Sequence, residues 1–444
     1  MILILLVVLV ALTNANFPIP PLPSQIRRSN ALYAQPTIPV PPFEVKSAYV
    51  NVDQVNNANI FWWGYINKQE ELKRGPIVIW LQGGPGGSSL FGDLCEIGPV
   101  DACDGTAKPR NSTWLSLTHA LMFVDNPVGT GFSYVTNQDG YARDGKQISI
   151  QLYQTLLDMY KKNPEFEGLP LYVFSESYGG KMASEFGAYL SEKIQNSVSL
   201  ANKINFKGVG LGDGWVSPLD CVKSYGTFLK SISHFDSKAA AQCDHYADQI
   251  QKALDNQEFE KATGLWGSQE GFYMSKTALN VYNFMRHDSD DLRGLNIYAN
   301  TVVRKLFNIS ESITWGMSSG SVFAHMNVAF MQNSISSVDK LLRDKRRVIV
   351  FNGQLDIIVD TLCTEAWINR LTWENIEDFK NTDQELIQNS HPVNDPRLSR
   401  ETKFAYRKKF NNLEYWRILN AGHMVPMDNP VMAYEMLKTV LSEK

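Results

Sequence analysis

Six short apolar runs constrain the fold most: Pro76 to Leu81, Leu121 to Val124, Leu171 to Phe174, Phe206 to Leu211, Arg347 to Phe351 and Tyr415 to Leu419. Each ends in glycine or a polar turn, the mark of a strand buried on both faces. Helical patterns lie between several of them, notably Gln151 to Tyr160 and Gly180 to Ile194. That alternation predicts an α/β fold, a mostly parallel central sheet flanked by helices. From 216 to 345 the strand signal lapses and helical segments such as Lys238 to Asn256 take over. The expected layout is a core in two parts, 45–215 and 346–444, with a helical cap, 216–345, inserted between them. With 444 residues, 44% of them hydrophobic, the chain has enough apolar surface for a large core.

The ends carry different signals. Met1 to Leu12 is wholly apolar and Thr13-Asn14-Ala15 follows, which predicts a signal peptide, residues 1–15, cut after Ala15. A membrane-spanning helix needs roughly 20 apolar residues, and Pro18, Pro20, Pro21 and Pro23 stop any extension. Residues 16–44 are proline-rich and predict an extended arm without a core of its own. A net charge of -4 and a pI near 6.0 provide no basic field for a nucleic acid.

The five cysteines show no zinc spacing, so no metal and no cofactor is expected. In an oxidising compartment two local bridges are expected, Cys95 with Cys103 and Cys221 with Cys243, leaving Cys363 over. The sequons at Asn111 and Asn308 agree with passage through the secretory pathway, to a secreted or lysosomal destination. A polar stretch around 285–315, with Asp288 to Asp291 and Arg293, is where a processing loop would lie.

The strand Leu171 to Phe174 runs into Ser175-Glu176-Ser177-Tyr178-Gly179-Gly180 and then a helical pattern. A sharp turn of this kind lifts a serine hydroxyl above the sheet edge, and small residues two before and two after it avoid clashes. Ser177 is the candidate nucleophile, with Ser175 where a glycine is usual. A serine needs a base, and the base a carboxylate to orient it. Of seven histidines, only His423 combines a preceding strand with a glycine-bearing loop. Asp356 lies just past the strand Arg347 to Phe351. The order Ser, Asp, His, each at a strand's carboxyl end, is that of α/β hydrolases. At this stage His423 also fits a helix cap, Asp356 fits a turn or N-cap, and Asp360 competes for the acid's role. The loop Gln82 to Ser89 fits either an oxyanion-binding turn or a plain tight turn; it completes neither nucleotide-binding motif.

Six longer stretches coincide in order: WLQGGPGGSS from Trp80, DNPVGTGFSY from Asp125, SESYGG from Ser175, GVGLGDGWVSP from Gly208, NGQLDIIVDTLCTEAW from Asn352 and AGHMVPMD from Ala421. In these the chain resembles the serine carboxypeptidases from about residue 45 onward, most of all their retinoid-inducible branch. The resemblance implies a triad of Ser177, Asp356 and His423, and an oxyanion hole made by the amides of Gly84 and Tyr178. It implies that Glu176, Gln82, Trp80 and Gly83 hold a substrate's free carboxylate. The chain departs from the family at Gln82, where asparagine is usual, at Gly87, where cysteine is usual, and at Cys363, where glycine is usual.

A glutamate beside a carboxylate repels it unless protonated, so Glu176 is expected to have a raised pKa and activity to be favoured in acid. The leading expectation is therefore removal of C-terminal residues from peptides through an acyl-enzyme. The same apparatus also suits an acyltransferase, and a catalytically quiet binding protein is the reading from another class.

Overall fold

The computed structural model describes residues 42–286, 291–388 and 404–443. The expected signal peptide and nearly all of the arm lie outside them, as do residues 287–290 of the polar stretch. The arm's last two positions, 43 and 44, already belong to a strand.

Ten strands form one sheet: β1 (Phe43–Asp53), β2 (Ala58–Asn67), β3 (Ile77–Leu81), β4 (Ala120–Asp125), β5 (Pro170–Glu176), β6 (Asn205–Gly212), β7 (Arg347–Gly353), β8 (Glu385–Gln388), β9 (Phe404–Phe410) and β10 (Leu413–Ile418). Their spatial order is β1-β2-β4-β3-β5-β6-β7-β10-β9-β8. The centre, β4 through β10, is parallel, while β1 and β2 on one side and β9 and β8 on the other are antiparallel.

The six apolar runs are these six parallel strands. Each buries both faces: Ile77, Ile79 and Leu81 of β3 enter one core, Val78 and Trp80 the other. The edge strands β1 and β8, and β9 beside the latter, have mixed or exposed faces and therefore no continuous apolar run. β2 is buried along its whole length; its Ile60 to Trp63 run has the same signature, which the sequence reading passed over.

Helices α1 (Gly145–Lys162) and α2 (Tyr178–Gln195) pack against each other and the sheet. Between β6 and β7 the described chain is helical: α3 (Pro218–Ser231), α4 (Ser237–Asp255), α5 (Phe259–Thr277), α6 (Gly320–Phe330) and α7 (Ile335–Arg343) are its longer segments. Buried polar groups seat this region on the core. Lys181 Nζ donates to Ala329 O at 2.8 Å and also to Gln332 O, and Trp215 Nε1 donates to Phe330 O at 3.0 Å. After β7 come α8 (Thr361–Asn369) and, last, α9 (Pro430–Ser442). No helix among the described residues is long and apolar enough to cross a membrane.

Candidate active site

Ser177 stands between the end of β5 and the start of α2 at φ 61°, ψ −130°. For a residue with a Cβ this left-handed backbone costs about 1–3 kcal/mol. Three backbone hydrogen bonds hold it there: Ser177 N to Gly212 O, and Gly180 N and Trp215 N to Ser177 O, each 2.9 Å. Ser175 fits the position usually given to glycine because its hydroxyl turns to the next strand and donates to Gly210 O at 2.8 Å.

The loop after β3 presses on this turn. A Cβ on Gly83 would lie 2.5 Å from Ser177 Cβ and 2.9 Å from Tyr178 N, so only glycine allows the approach. The amides of Gly84 and Tyr178 donate to no group among the described residues. Free backbone N–H groups beside a serine hydroxyl are what an oxyanion requires. Buried Asp125 anchors the loop by accepting from Ser88 Oγ (2.6 Å), Ser89 N (3.0 Å) and Phe132 N (2.8 Å). This ties the Trp80 and Asp125 motifs into one piece.

His423 and Asp356 meet: Nδ1 lies 2.7 Å from Oδ2, and both residues are buried. Asp356 also accepts from Ile358 N (2.9 Å) and Val359 N (3.3 Å), so its carboxylate is fixed before the histidine reaches it. The histidine loop is strapped by Asp428, which accepts from Gly422 N at 2.7 Å and binds Asn283 and Arg286. Tyr282, 40% exposed, lies with its ring centroid 5.2 Å from that of His423. Ser177 Oγ makes no hydrogen bond among the described residues, so the histidine's second nitrogen is not engaged with it here. Such contacts often tighten only when substrate is bound.

On the other side of Ser177, Glu176 is buried and Gln82 Nε2 donates to its Oε1 at 2.7 Å. Gln82 also reaches Glu96 Oε1 at 3.4 Å, and its own oxygen accepts from Trp80 Nε1 at 2.7 Å. The longer side chain therefore links the tryptophan to two acids. Burial, followed by the charge of Glu96, holds the Glu176 carboxyl well above the usual carboxylate range. Burial also lifts Glu96 to about 7. Two facing buried acids favour a state that retains a proton between them.

The sharp serine turn, the Asp–His pair and the two facing buried acids have a counterpart in sequence. The sequence profile of the serine carboxypeptidases fits residues 36–443. The chain belongs to the serine carboxypeptidase family.

Among its relatives, the retinoid-inducible serine carboxypeptidase of Mus musculus is 37% identical, covering 90% of this chain and 92% of its own. Serine carboxypeptidase-like 51 of Arabidopsis thaliana is 34% identical over 86% and 88%. The fold is that of Kex1(delta)p, a prohormone-processing carboxypeptidase of Saccharomyces cerevisiae, with a TM-score of 0.76 at 22% identity over 90% and 91% of the two chains. This serine carboxypeptidase is thus a serine-type hydrolase on an α/β-hydrolase scaffold.

Two acids at the site were not singled out from the sequence. Glu96 lies in the helical segment Gly92–Ile97, next to Cys95, where no motif marks it and its signal is a charge within a largely apolar run. Asp213 follows β6 inside a glycine-rich turn, where its position at a strand's carboxyl end was the available signal. Its Oδ1 accepts from Asn352 Nδ2 (2.7 Å) and Gly353 N (2.9 Å). Polar atoms of Asp213, Asp356 and His423 lie within 4.8 Å of one another. Burial, then the charge of Asp356, holds the Asp213 carboxyl well above the usual range.

Asp360 is not a second acid for His423: it caps α8 through Cys363 N at 2.8 Å and accepts from Ser224 Oγ at 2.6 Å. Cys95 and Cys103 are joined. The second expected bridge is corrected: Cys221 pairs with Cys363, and Cys243 is the buried free thiol. Nearness in sequence suggested Cys243, but α8 packs along α3 and brings the two Cα atoms to 4.4 Å. Asn111 and Asn308 are both exposed.

Proposed function

We propose that this protein removes the C-terminal residue from peptides and proteins. The observation that carries this reading is the buried Gln82–Glu176–Glu96 group directly beside the strained serine turn. A neutral carboxyl and an amide N–H can hold a carboxylate that two ionised acids would repel. The substrate's terminus then fixes the scissile carbonyl over Ser177.

In this mechanism His423 accepts the proton of Ser177 Oγ as the oxygen attacks the carbonyl carbon. The resulting oxyanion is held by the amides of Gly84 and Tyr178, and Asp356 stabilises the imidazolium. His423 then passes its proton to the departing amine, the C–N bond breaks, and an acyl-Ser177 ester remains. Water, deprotonated by His423, attacks the ester and frees the serine. Residues 216–345 form the cap over this cleft.

The acid pair is protonated below its raised pKa values and ionised above them. Carboxylate binding is therefore present in acid and lost as pH rises through the raised pKa values of the pair. The paired cysteines and exposed sequons support maturation in the secretory pathway, with a secreted or lysosomal destination.

The test uses an N-blocked dipeptide, its C-terminal amide, and an N-blocked amino-acid ester with an alcohol acceptor, at acidic pH beside Ser177→Ala. Cleavage of the free acid well above the amide, lost in the variant, is expected. Transfer of the acyl group to the alcohol in preference to water identifies an acyltransferase instead. No turnover by either protein identifies a binding protein.

A further inference from the structure

Helix α5 brings to the cleft a carboxyl that the chemistry above does not use. Glu270 is 7% exposed and has neither a hydrogen bond nor an ion pair among the described residues. Burial alone lifts its carboxyl to about 7, and no neighbouring cation offsets that. The Tyr273 hydroxyl, less than one turn on, is likewise buried without a partner. Buried polar groups are normally paired, because an unpaired carboxyl costs stability. An unpaired acid with an unpaired hydroxyl beside it on one helix face is therefore a place for a ligand group.

The neighbours locate it. Trp266, one turn before Glu270, lies 5.9 Å from Trp215 and 4.7 Å from Phe330, centroid to centroid. Trp215 is hydrogen-bonded through its amide to Ser177 O. The chain leaving α5 bonds to both flanks of Asp356, Ile357 N donating to Val281 O at 3.1 Å and Phe284 N to Leu355 O at 3.0 Å, and takes the amide of His423 on Tyr282 O at 2.7 Å. Helix α5 thus joins the nucleophile turn, through Trp266 and Trp215, to the Asp356 and His423 loops.

Topology then assigns the side. Gln82 and Glu176 follow β3 and β5, so the leaving residue's carboxylate sits over those strands. A peptide passing Ser177 continues toward the ends of β6 and β7, where Trp215, Asp356 and the cap stand.

Resting on the carboxypeptidase reading, we propose that Glu270 forms the end of the subsite for the residue preceding the scissile bond and selects lysine or arginine there. The indole and phenyl rings of Trp215, Trp266 and Phe330 suit the aliphatic stem, and a bound cation facing the Glu270 carboxyl lowers its pKa and ionises it, so that the pair is charged in acid. A charge-assisted hydrogen bond in a buried site is stronger than a neutral one.

Two measurements test this. Ser177→Ala protein, with and without Glu270→Gln, is titrated calorimetrically with two N-blocked dipeptides that differ only in lysine or norleucine at the penultimate position. Wild type and Glu270→Gln are also compared in kcat/KM for the same pair. The lysine peptide is expected to win by about 10-fold or more in both measurements, and the advantage to fall below about twofold without the carboxylate. Each ratio comes from one preparation, so a partly unfolded variant does not change it. Equal or tighter binding of norleucine, an undiminished lysine preference in Glu270→Gln, or no binding of either peptide overturns the proposal. If only the carboxypeptidase reading is wrong, neither peptide is turned over while the calorimetric preference persists.

Discussion

Gln82 Nε2 stands 2.7 Å from Glu176 Oε1 while Gln82 Oε1 takes the indole proton of Trp80. The neighbours fix the amide's orientation, because the reverse would set an oxygen against carboxyl oxygens and an N–H against an N–H. One side chain thereby holds Glu176 and reaches Glu96, and the site gains a donor that does not titrate.

Glu176→Gln keeps a hydrogen-bond donor there at every pH and removes a negative charge beside Glu96. The fall of kcat/KM on the alkaline side is expected to flatten relative to wild type. A profile that tracks wild type through pH 6 to 8, measured on one N-blocked dipeptide, sinks the acid-pair account.

The positive φ of Ser177 predicts a trade between activity and stability. Ser177→Gly relieves the strained backbone, so the protein is expected to gain about 1 kcal/mol toward unfolding while kcat falls by about 10⁴-fold or more. Urea unfolding and steady-state turnover check the two halves independently.

Asp213 holds the chain that leads to Asp356, so its expected role is to position that aspartate. Asp213→Asn retains an acceptor for Gly353 N and offers Asp356 an N–H. Asp213→Ala removes the acceptor of Gly353 N and one of the two acceptors of Asn352 Nδ2, which keeps Val359 O, and is expected to cost about 2–3 kcal/mol. It should also lower kcat by about tenfold or more, whereas the asparagine variant stays much nearer wild type. Equal loss in both variants would mean that ionised Asp213 is required.

Bridging Cys221 to Cys363 closes a loop of 142 residues. Cys363→Ser is expected to destabilise by about 2–4 kcal/mol, and Cys243→Ser by less than about 1 kcal/mol. Peptide mapping without reduction should recover the Cys221–Cys363 pair; recovery of Cys221–Cys243 instead refutes this pairing.

The parallel strands and the serine turn were legible because they are local patterns. The polar outer strands β8 and β9 were not, since their pairing depends on a sheet already formed beside them. Asp360 shows the same boundary: in sequence it rivals Asp356, four residues away, yet it ends up capping α8 against Ser224. Two acids on adjacent turns differ in role only through what packs on each.

By itself the sequence determined the six central strands and the order in which Ser177, Asp356 and His423 leave them. Continuous apolar runs and a glycine-flanked turn express the buried strand and the sharp bend directly. Tertiary structure decided which side chains meet: Glu96 with Glu176, Asp213 with Asp356, Cys363 with Cys221. Those encounters join distant segments, and their energies depend on burial and on neighbouring charge, which exist only once the chain has closed around them.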